Sequence, residues 1–374
     1  MKRIAIIGAN IFQNKLIVHA KELGYETHVF AWECGDPGEK SADFFYPISI
    51  KEKELILEKC REIKPVAVCS IGSDLAVLTV NYVARNLGLN GNSELCDRLS
   101  TNKYEMREAF KRAGIYTPKH IKVTCSKQCD FDINYPVIVK PTDRSGSRAI
   151  TCVYDEKELE SAVQRAIDQS FEKAAIIEEF IEGKEYSCEC ISFEGKHQIL
   201  ALTEKFTTGS PNYIEVGHIQ PAPIYDEKVR KVIESTVFKA LDALAIKNSA
   251  SHVEFKLSET GQVGIIEIGA RMGGDCIGSD LVPLSTGLDY MGMVIDVAAG
   301  MQPCMEIRKH YPYASIKFYM TQDEKTRCNC QENHLIEKYR EGNQTMHGVK
   351  DSSTRYGFYI VCSESYLDAK ELFN

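Results

Sequence analysis

The chain contains no apolar stretch long enough to cross a membrane. In its 374 residues, no run approaches the ~20 apolar residues that a bilayer-spanning helix requires. The first residues, Met1-Lys2-Arg3, are followed only by the short apolar run IAII, which predicts a buried strand rather than the apolar region of a signal peptide. We therefore expect no membrane partner and a cytoplasmic location.

An excess of positive charge is also missing. The 45 Lys and Arg residues are outnumbered by 53 Asp and Glu residues, so the formal net charge is −8 at pH 7. Because nucleic acids need a cationic surface, we expect no nucleic-acid partner, although this net charge is compatible with a local cationic pocket. The length and composition are those of a globular enzyme with two or three domains.

Paired Cys-x-x-Cys motifs are absent, although the chain has 14 cysteines. Cys188/Cys190 and Cys328/Cys330 form Cys-x-Cys pairs, but neither has the spacing of a zinc site. The cysteines are scattered, mostly through strand-like segments such as VAVCS and YSCECIS. We therefore expect reduced, mostly buried thiols rather than zinc ligands or disulfides.

The first hundred residues alternate between strand and helix patterns. The runs KRIAIIGA, YETHVFA and PVAVCSIG predict strands, and LIVHAKELG, KELILEKCREI and DLAVLTVNYVARNLG predict helices. This alternation predicts an α/β fold with a doubly wound parallel sheet. The first strand–helix turn holds Gly8 alone, so the G-x-G-x-x-G fingerprint of dinucleotide binding is absent. We expect this domain to be a scaffold whose strand-end loops contribute to a substrate pocket.

Two lysines and a loop of small residues follow. Asn102, with Glu105 three residues later, predicts a helix start, and it places Lys103 in a first turn where the helix dipole disfavours a cation. The apolar strand YPVIVKP ends at Lys140, next to the loop TDRSGSRAI. Small side chains let backbone N–H groups approach an anion, so this loop and lysine suit phosphate oxygens. Further on, AAIIEEFIEGKE offers a backbone linker for a purine edge, followed by an acid for ribose hydroxyls.

Two glutamates in HVEFKLSETGQVGIIEIGAR indicate a cation site. If Thr260-Gly261 form a two-residue hairpin loop, Glu254 faces Glu267 on the neighbouring strand. The same register gives two apolar pairs, Val253 with Ile268 and Phe255 with Ile266. Facing carboxylates repel unless a cation lies between them or one is protonated, and oxygen ligands suit Mg²⁺. A solvated face is the alternative, and the residues alone do not decide between the two.

In this order, the motifs resemble those of the ATP-grasp superfamily over about residues 100–300. The closest likeness is to carboxylate–amine ligases that join amino acids, including L-amino acid ligases, and it includes EIGARMGGDCIGSDLVPLSTGLDYMGMVIDVAAG. The resemblance implies an α/β domain at 1–100, an ATP-grasp module of two α+β subdomains at 101–300 with a lid at about 118–183, and a small C-terminal α+β segment at 301–374.

The resemblance also implies a role for each matching residue. Lys103 and Lys140 resemble the lysines that hold the nucleotide phosphates, and Arg271 resembles the arginine that stabilises the transferred phosphoryl group; Lys140 and Arg271 would be catalytic. Glu254 and Glu267 match the magnesium ligands. The tip of the phosphate loop would be Ser145, Gly146 and Ser147. The adenine hinge and ribose ligand would be Glu178, Glu179, Phe180, Ile181 and Glu185.

Two departures from the family pattern stand out. Arg144 and Ala149 occupy loop positions where glycine is common. Gly269 stands where many members have an asparagine that also ligates metal. Water can take that position, because Mg²⁺ keeps several waters.

The implied activity is that of an ATP- and Mg²⁺-dependent ligase, with Mn²⁺ as a substitute ion. It would activate a carboxylate as an acyl phosphate and join it to an amine, with amino acids the favoured substrates. Glu215, His218 and Asp275 are the candidate substrate residues. The alternatives are a bicarbonate-phosphorylating enzyme, a purine-pathway ligase and a nucleotide-binding protein without ligase chemistry.

The last 74 residues carry less information. ASIKFYMT and YGFYIVCS predict strands, SYLDAKELF predicts a helix, and RCNCQENHLIEKYREGNQ predicts a polar loop with a short helix. This segment either completes the substrate site or forms a homodimer contact.

Overall fold

The computed structural model describes residues 1–127, 132–210, 212–321, 323–324, 335–340, 349 and 351–373. Its strands form three sheets that follow one another along the chain. None of the helices in this described part is long and apolar enough to cross a membrane.

The first sheet is parallel. Its strands are β1 (Lys2–Ile7), β2 (Tyr25–Phe30), β3 (Phe44–Tyr46) and β4 (Ala67–Cys69), in the order β3-β2-β1-β4. Its helices are α1 (Ile11–Glu22), α2 (Pro37–Ser41), α3 (Lys53–Ile63) and α4 (Asp74–Leu87). Successive strand residues face opposite sides of a sheet, so Ile4 packs with α1 whereas Ala5 packs with α3 and α4. Helices cover both faces, which confirms the predicted doubly wound domain.

The second sheet is antiparallel and follows two helices, α5 (Glu94–Thr101) and α6 (Lys103–Arg112). Asn102 caps α6, as predicted, and accepts hydrogen bonds from the N–H groups of Tyr104 and Glu105. The strands are β5 (His120–Val123), β6 (Val137–Pro141), β7 (Thr151–Val153) and β8 (Ala175–Glu179), in the order β5-β8-β6-β7. Helix α7 (Glu156–Gln169) packs on one face with residues spaced three and four apart: Leu159, Ala162, Val163 and Ala166.

The third sheet has eight antiparallel strands. They are β9 (Lys184–Phe193), β10 (Lys196–Thr207), β11 (Glu215–Gln220), β12 (Ser249–Leu257), β13 (Val263–Gly269), β14 (Tyr313–Phe318), β15 (Leu335–Arg340) and β16 (Gly357–Ser363). Their order is β13-β12-β9-β10-β11-β14-β16-β15. Helix α8 (Glu227–Ala243) packs on one face. A π-helical turn at Ile277–Leu281, α9 (Val282–Thr286) and α10 (Tyr290–Ala298) lie on the other side, and a last helix spans Tyr366–Glu371.

One expectation for the C-terminal segment is wrong. The residues Leu335–Arg340, expected in a polar loop with a short helix, form the edge strand β15. They pair antiparallel with β16, whose free edge provides hydrogen-bonding partners, and their Leu, Ile and Tyr residues include types that favour strands. Cys328 and Cys330 lie outside the described residues. No disulfide joins the 11 cysteines within them, and eight of these cysteines are buried.

Candidate active site

The second and third sheets each bury one face against a helix and turn the other toward a shared cleft. In β6, Val137 and Val139 pack with α7, whereas the alternate residue Lys140 faces the cleft. In β12, Val253 packs with α8, whereas Glu254 faces the cleft. The period of two along each strand therefore brings charged side chains onto the facing surfaces.

This first cleft has an apolar end and a charged end. At the apolar end, the ring centroids of Phe180 and Tyr213 are 6.0 Å apart, and Lys256 Nζ lies 3.8 Å from the centroid of the Phe180 ring. The other lining residues are Arg107, Ile138, Lys140, Ser147, Ile150, Glu178, Glu179, Ile181, Glu185, Lys205, Glu215, Glu254, Ile266 and Glu267. Such a cleft suits a ligand with an aromatic ring and an anionic end.

Glu254 and Glu267 face each other on β12 and β13, as predicted, and Val253 faces Ile268. The predicted pairing of Phe255 with Ile266 is wrong, because Phe255 faces Ile265. The prediction of a two-residue loop is also wrong, since the connection between β12 and β13 spans residues 258–262. This longer loop shifts the register by one residue, and a β-bulge next to Glu254 shifts it back.

The bulge is stabilised by a buried arginine. Arg107 donates hydrogen bonds to the carbonyl oxygens of Ile265 and Ile266, at 2.5 and 3.0 Å. Ile266 is the extra residue of the bulge, and its side chain lines the first cleft. Carbonyl groups that a bulge removes from the strand ladder need other donors when buried, and Arg107 supplies them.

Each of the two glutamates is paired with a lysine. Lys103 Nζ lies 2.8 Å from Glu267 Oε1, and Lys205 Nζ lies 2.6 Å from Glu254 Oε1. Lys205 also lies 3.2 Å from Glu185 and 3.7 Å from Glu215, so one buried cation serves three carboxylates. Burial favours the neutral form of Glu254, but the charge of Lys205 outweighs it and holds the pKa of Glu254 well below its usual range.

This donor set fits a magnesium ion that is completed by other oxygens. Glu254 and Glu267 offer hard oxygen ligands from facing strand positions. Among the described residues, no group of three or more His, Cys, Asp and Glu side chains is arranged to hold a metal. Mg²⁺ is commonly bound through one or two carboxylates together with water and substrate phosphates, so two glutamates are sufficient.

Lys140 belongs to a buried three-membered charge cluster. Its Nζ lies 2.5 Å from Glu178 Oε1, and Arg107 Nε lies 2.8 Å from Glu178 Oε2. Burial lowers the pKa of Lys140. Burial alone would raise the pKa of Glu178, but Arg107 and Lys140 lower it to about 2. The Glu178 side chain, assigned by resemblance to the adenine hinge, therefore anchors Lys140.

In the described residues, the hinge backbone has one acceptor and one donor without a backbone partner outside the strand ladders. Glu179 N–H donates to the Lys119 carbonyl at 2.9 Å, and Phe180 N–H donates to the Pro136 carbonyl at 3.1 Å. Outside the strand ladders of the described chain, neither the Glu179 carbonyl nor the Ile181 N–H has a backbone partner. An acceptor and a donor two residues apart match the amino and ring-nitrogen edge of adenine.

The loop of small residues contains several left-handed backbone conformations. Gly146, Ser147 and Ala149 have φ values of 72°, 56° and 54°. The Ser147 hydroxyl lies 3.3 Å from Glu215 Oε2, so the loop reaches across to the third sheet. Alternation of ordinary and left-handed residues is typical of anion-binding nests. Ser145 and Gly146 are exposed at the tip.

A second cleft adjoins the first and collects the three predicted substrate residues. Its lining includes Lys205, Glu215, His218, Glu254, Arg271 and Asp275, together with Phe12, Ile277 and Ser352. His218 is fully buried, and burial lowers its pKa. Its Nε2 lies 3.9 Å from Asp275 Oδ2, beyond hydrogen-bond distance. Glu215 accepts a hydrogen bond from the Ser352 hydroxyl at 2.5 Å.

Two arginines at the second cleft are held by carboxylates. Arg355 donates to both oxygens of Asp275, at 2.9 and 2.5 Å, and its guanidinium carbon lies 3.5 Å from the centroid of the Phe318 ring. Arg271 donates to both oxygens of Asp74, at 2.8 and 3.0 Å. Bidentate pairs of this kind fix both partners in orientation. The C-terminal segment and the domain of the first, parallel sheet therefore both reach the site.

His252 lies between Glu254 and a second buried glutamate, Glu189. His252 Nδ1 lies 2.5 Å from Glu189 Oε1, and Nε2 lies 3.3 Å from Glu254 Oε1. Glu189 also accepts a hydrogen bond from Gly273 N–H at 2.8 Å. Burial alone would lower the pKa of His252, but Glu189 and Glu254 raise it to about 9.

Sequence reasoning missed six charged residues of the site, which are Asp74, Arg107, Glu189, Lys205, Lys256 and Arg355. A signal exists for Glu189 and Lys205, because each is a charge inside a segment of strand-forming residues, in YSCECIS and ALTEKFT. Such residues are rarely buried without a partner. For Arg355 no local pattern distinguishes it from a surface arginine, since its partner Asp275 is 80 residues away in the chain.

Parts of the chain are similar to known proteins. Residues 133–280 match the family model described as an ATP-grasp domain. Alanine–anticapsin ligase of Bacillus subtilis (strain 168) is 29% identical over 294 residues, which cover 68% of this chain and 61% of that ligase. The chain thus spans less than two thirds of the length of this relative.

Two solved structures share the fold over the whole chain. The L-amino acid ligase from Bacillus licheniformis has a TM-score of 0.86 at 24% identity, covering 100% of this chain and 96% of that one. Phosphoribosylglycinamide synthetase from Anaerococcus prevotii has a TM-score of 0.76 at 22% identity, with the same coverage. Residues 133–280 therefore resemble an ATP-grasp domain, and the whole chain shares the fold of these two solved structures.

Proposed function

We propose that the protein is an ATP- and Mg²⁺-dependent ligase that activates a carboxylate as an acyl phosphate and joins it to an amine, with release of ADP and phosphate. The observation that carries this proposal is the wall shared by the two clefts. Lys205, Glu215 and Glu254 line both of them. A nucleotide in the first cleft and a carboxylate in the second would therefore meet at these residues.

In this proposal, the nucleotide lies along the first cleft. The carbonyl of Glu179 and N–H of Ile181 bind adenine, and Glu185 binds the ribose hydroxyls. Lys103, Lys140 and the loop of Ser145, Gly146 and Ser147 bind the phosphates. Glu254 and Glu267 hold Mg²⁺, which neutralises charge on the phosphoryl oxygens when bound. Mn²⁺ also accepts oxygen ligands in octahedral geometry, so we expect it to substitute.

The second cleft would bind the reacting groups. A carboxylate is a poor electrophile, and transfer of the ATP γ-phosphoryl group to it gives an acyl phosphate that an amine can attack. The cationic side chains of Arg271 and Lys205 would stabilise the oxygens that gain charge. Glu215 and Asp275 offer carboxylates for an ammonium group. A pocket with both signs of charge is complementary to an α-amino acid, and this supports amino acids as substrates.

The experiment is an assay of ADP release by the purified chain with ATP, Mg²⁺ and pairs of amino acids. We expect ADP release that requires an amino acid pair, is abolished by chelation of Mg²⁺, and is matched one-to-one by a dipeptide in mass spectrometry. Failure of every pair to release ADP would count against the ligase. Release with bicarbonate or with a glycinamide-type amine would favour the carboxylating or purine-pathway alternatives, and ATP binding without turnover would favour a non-catalytic protein.

Three further points belong to this proposal. The second sheet with α7 would be the lid, at about 118–183, within the ATP-grasp module at 101–300. The domain at 1–100 precedes this module, and the segment at 301–374 follows it. The free thiols fit a cytoplasmic location. A homodimer would have twice the chain mass of 42.1 kDa in light scattering, and a single chain mass would exclude it.

A further inference from the structure

Gly269 lies two residues after Glu267, and a side chain there would collide with its surroundings. A Cβ atom built on Gly269 would lie 2.8 Å from Asp74 Oδ1 and 3.1 Å from Arg271 Cζ. Real Cβ atoms essentially never approach another heavy atom closer than 3.0 Å, so one partner would have to move. Gly269 is not among the residues with a positive φ. Space, and not backbone conformation, is therefore the reason for glycine at this position.

The space is filled by the carboxylate of Asp74. Both its oxygens accept from Arg271, Oδ1 from Nε at 2.8 Å and Oδ2 from a terminal nitrogen at 3.0 Å. The two side chains are 19% and 15% exposed. A parallel pair of hydrogen bonds fixes the plane of the guanidinium as well as its position.

The first domain delivers Asp74 to this point on a fixed loop. Ser73 caps α4, and Asp74 is its first residue, at the helix end that favours a negative charge. On the same loop, the Ile71 carbonyl accepts a hydrogen bond from the side chain of Gln13 in α1 at 3.0 Å. Gly72 N–H donates to the Met272 carbonyl at 3.3 Å. The loop is therefore attached directly to the residue that follows Arg271.

We propose that Asp74 is the positioning residue for Arg271, and that position 269 is glycine in this chain to admit the Asp74 carboxylate. The inference rests on the proposed function, in which Arg271 contacts the reacting oxygens. Glu189 and Glu254 are other carboxylates whose charges act on Arg271. Without Asp74, the guanidinium turns toward them and away from the reacting carboxylate.

The test is a double-mutant cycle of Asp74→Ala, Gly269→Ala and the double variant. Each single change breaks the same contact, so each lowers kcat by about 10- to 100-fold. The double variant has the kcat of Asp74→Ala, because the loss is not incurred twice. Neither Asp74 nor Gly269 lines the first cleft, so the KM for ATP stays within about twofold. A double variant whose fold loss in kcat is the product of the two single losses would overturn the proposal. A normal kcat in Gly269→Ala would also overturn it.

A matched control is available in the pair of Lys15 and Asp280. It also connects the first domain to the segment after β13, at 2.7 Å, with side chains 19% and 16% exposed. Asp280→Ala therefore removes an equivalent ion pair that does not hold Arg271. We expect its kcat to stay within about twofold of the parent. An equal loss of kcat would mean that any contact between the domains has the same effect, which overturns a specific role for Asp74.

The midpoint of thermal unfolding gives a readout that needs no substrate. Both single variants lower this midpoint, and the double variant lowers it no further than Asp74→Ala does. Additive shifts would overturn the coupling between Asp74 and position 269. This cycle stays informative if the chain has no ligase activity, so the failure of the proposed function is distinguishable from the failure of this inference.

Discussion

At the scale of single residues, the site consists of buried charges that stabilise one another. Lys205 is 7% exposed and contacts three carboxylates, and Glu178 is 4% exposed and contacts two cations. Removal of one member leaves its partners buried without a counter-charge, which is much more costly than loss of an exposed pair. The same side chains that would bind a nucleotide therefore also determine stability.

Glu178 allows a test of this coupling by pH. We expect Glu178→Gln to lower the free energy of unfolding by about 3–5 kcal/mol at neutral pH, because Lys140 and Arg107 lose their anion. The pKa of Glu178 in the folded protein is about 2, below its ordinary value of 4.5. Its contribution is therefore complete above the ordinary pKa and is lost as the pH falls toward about 2.

Urea denaturation of parent and variant across this pH range measures the effect. The difference in the free energy of unfolding between parent and variant should narrow as the pH falls, because only the parent loses the contribution of ionised Glu178. Glu62→Gln, in the exposed pair with Lys59, serves as the control. It should leave the free energy of unfolding unchanged across this pH range. A difference that stays constant down to about pH 2 would contradict the assigned pKa.

At the scale of elements, helix α6 places Lys103, the lysine proposed to bind phosphate, next to its cap. Asn102 accepts hydrogen bonds from two backbone N–H groups, and Lys103 is the next residue. We expect Asn102→Ala to lower the free energy of unfolding by about 1 kcal/mol and to weaken nucleotide binding, because Lys103 loses its fixed position. Calorimetric titration with ADP measures the affinity.

Helix α7 supplies the matched control for this cap. Asp155 caps α7 by accepting from Lys157 N–H, and neither residue lines the first cleft. Asp155→Ala should therefore cost about the same stability without loss of affinity for ADP. Equal affinity losses in both variants would show that the effect is general destabilisation and not displacement of Lys103.

The sequence predicted most elements of the fold, because the periods of apolar residues are local. Glu254 and Glu267 were correctly paired, yet the five-residue loop and the bulge that together restore their register were not foreseen. A buried bulge needs donors for the carbonyl groups that leave the strand ladder. Here the donor is Arg107, which is more than 150 residues away in the chain. The edge strand β15 was missed for a similar reason, since it depends on the free edge of β16.

At the scale of the whole molecule, the second cleft is assembled from distant parts of the chain. Asp74 comes from the first domain, Asp275 from the segment after β13, and Arg355 from the C-terminal segment. The C-terminal segment had been expected either to complete the substrate site or to form a dimer contact. Ser352 of this segment lines the second cleft, and the ion pair of Arg355 with Asp275 holds the segment beside it.

Arg355→Met tests this contribution, because it keeps much of the side-chain volume and removes the charge. We expect a raised KM for the amino acid substrates, since Asp275 loses the partner that orients it, while the KM for ATP changes little. The steady-state kinetics of ADP release measure both constants. A change confined to the KM for ATP would contradict the assignment of the second cleft to the substrates.

The most direct test of the central claim is amino-acid-dependent ADP release by the parent chain and by Glu254→Gln and Glu267→Gln. The parent should release ADP and form a dipeptide in equal amounts. Each variant should lose at least about 100-fold in kcat while it stays folded at the assay temperature, because an oxygen ligand for Mg²⁺ is lost but the side-chain shape is kept. Near-normal turnover by Glu267→Gln would contradict the account.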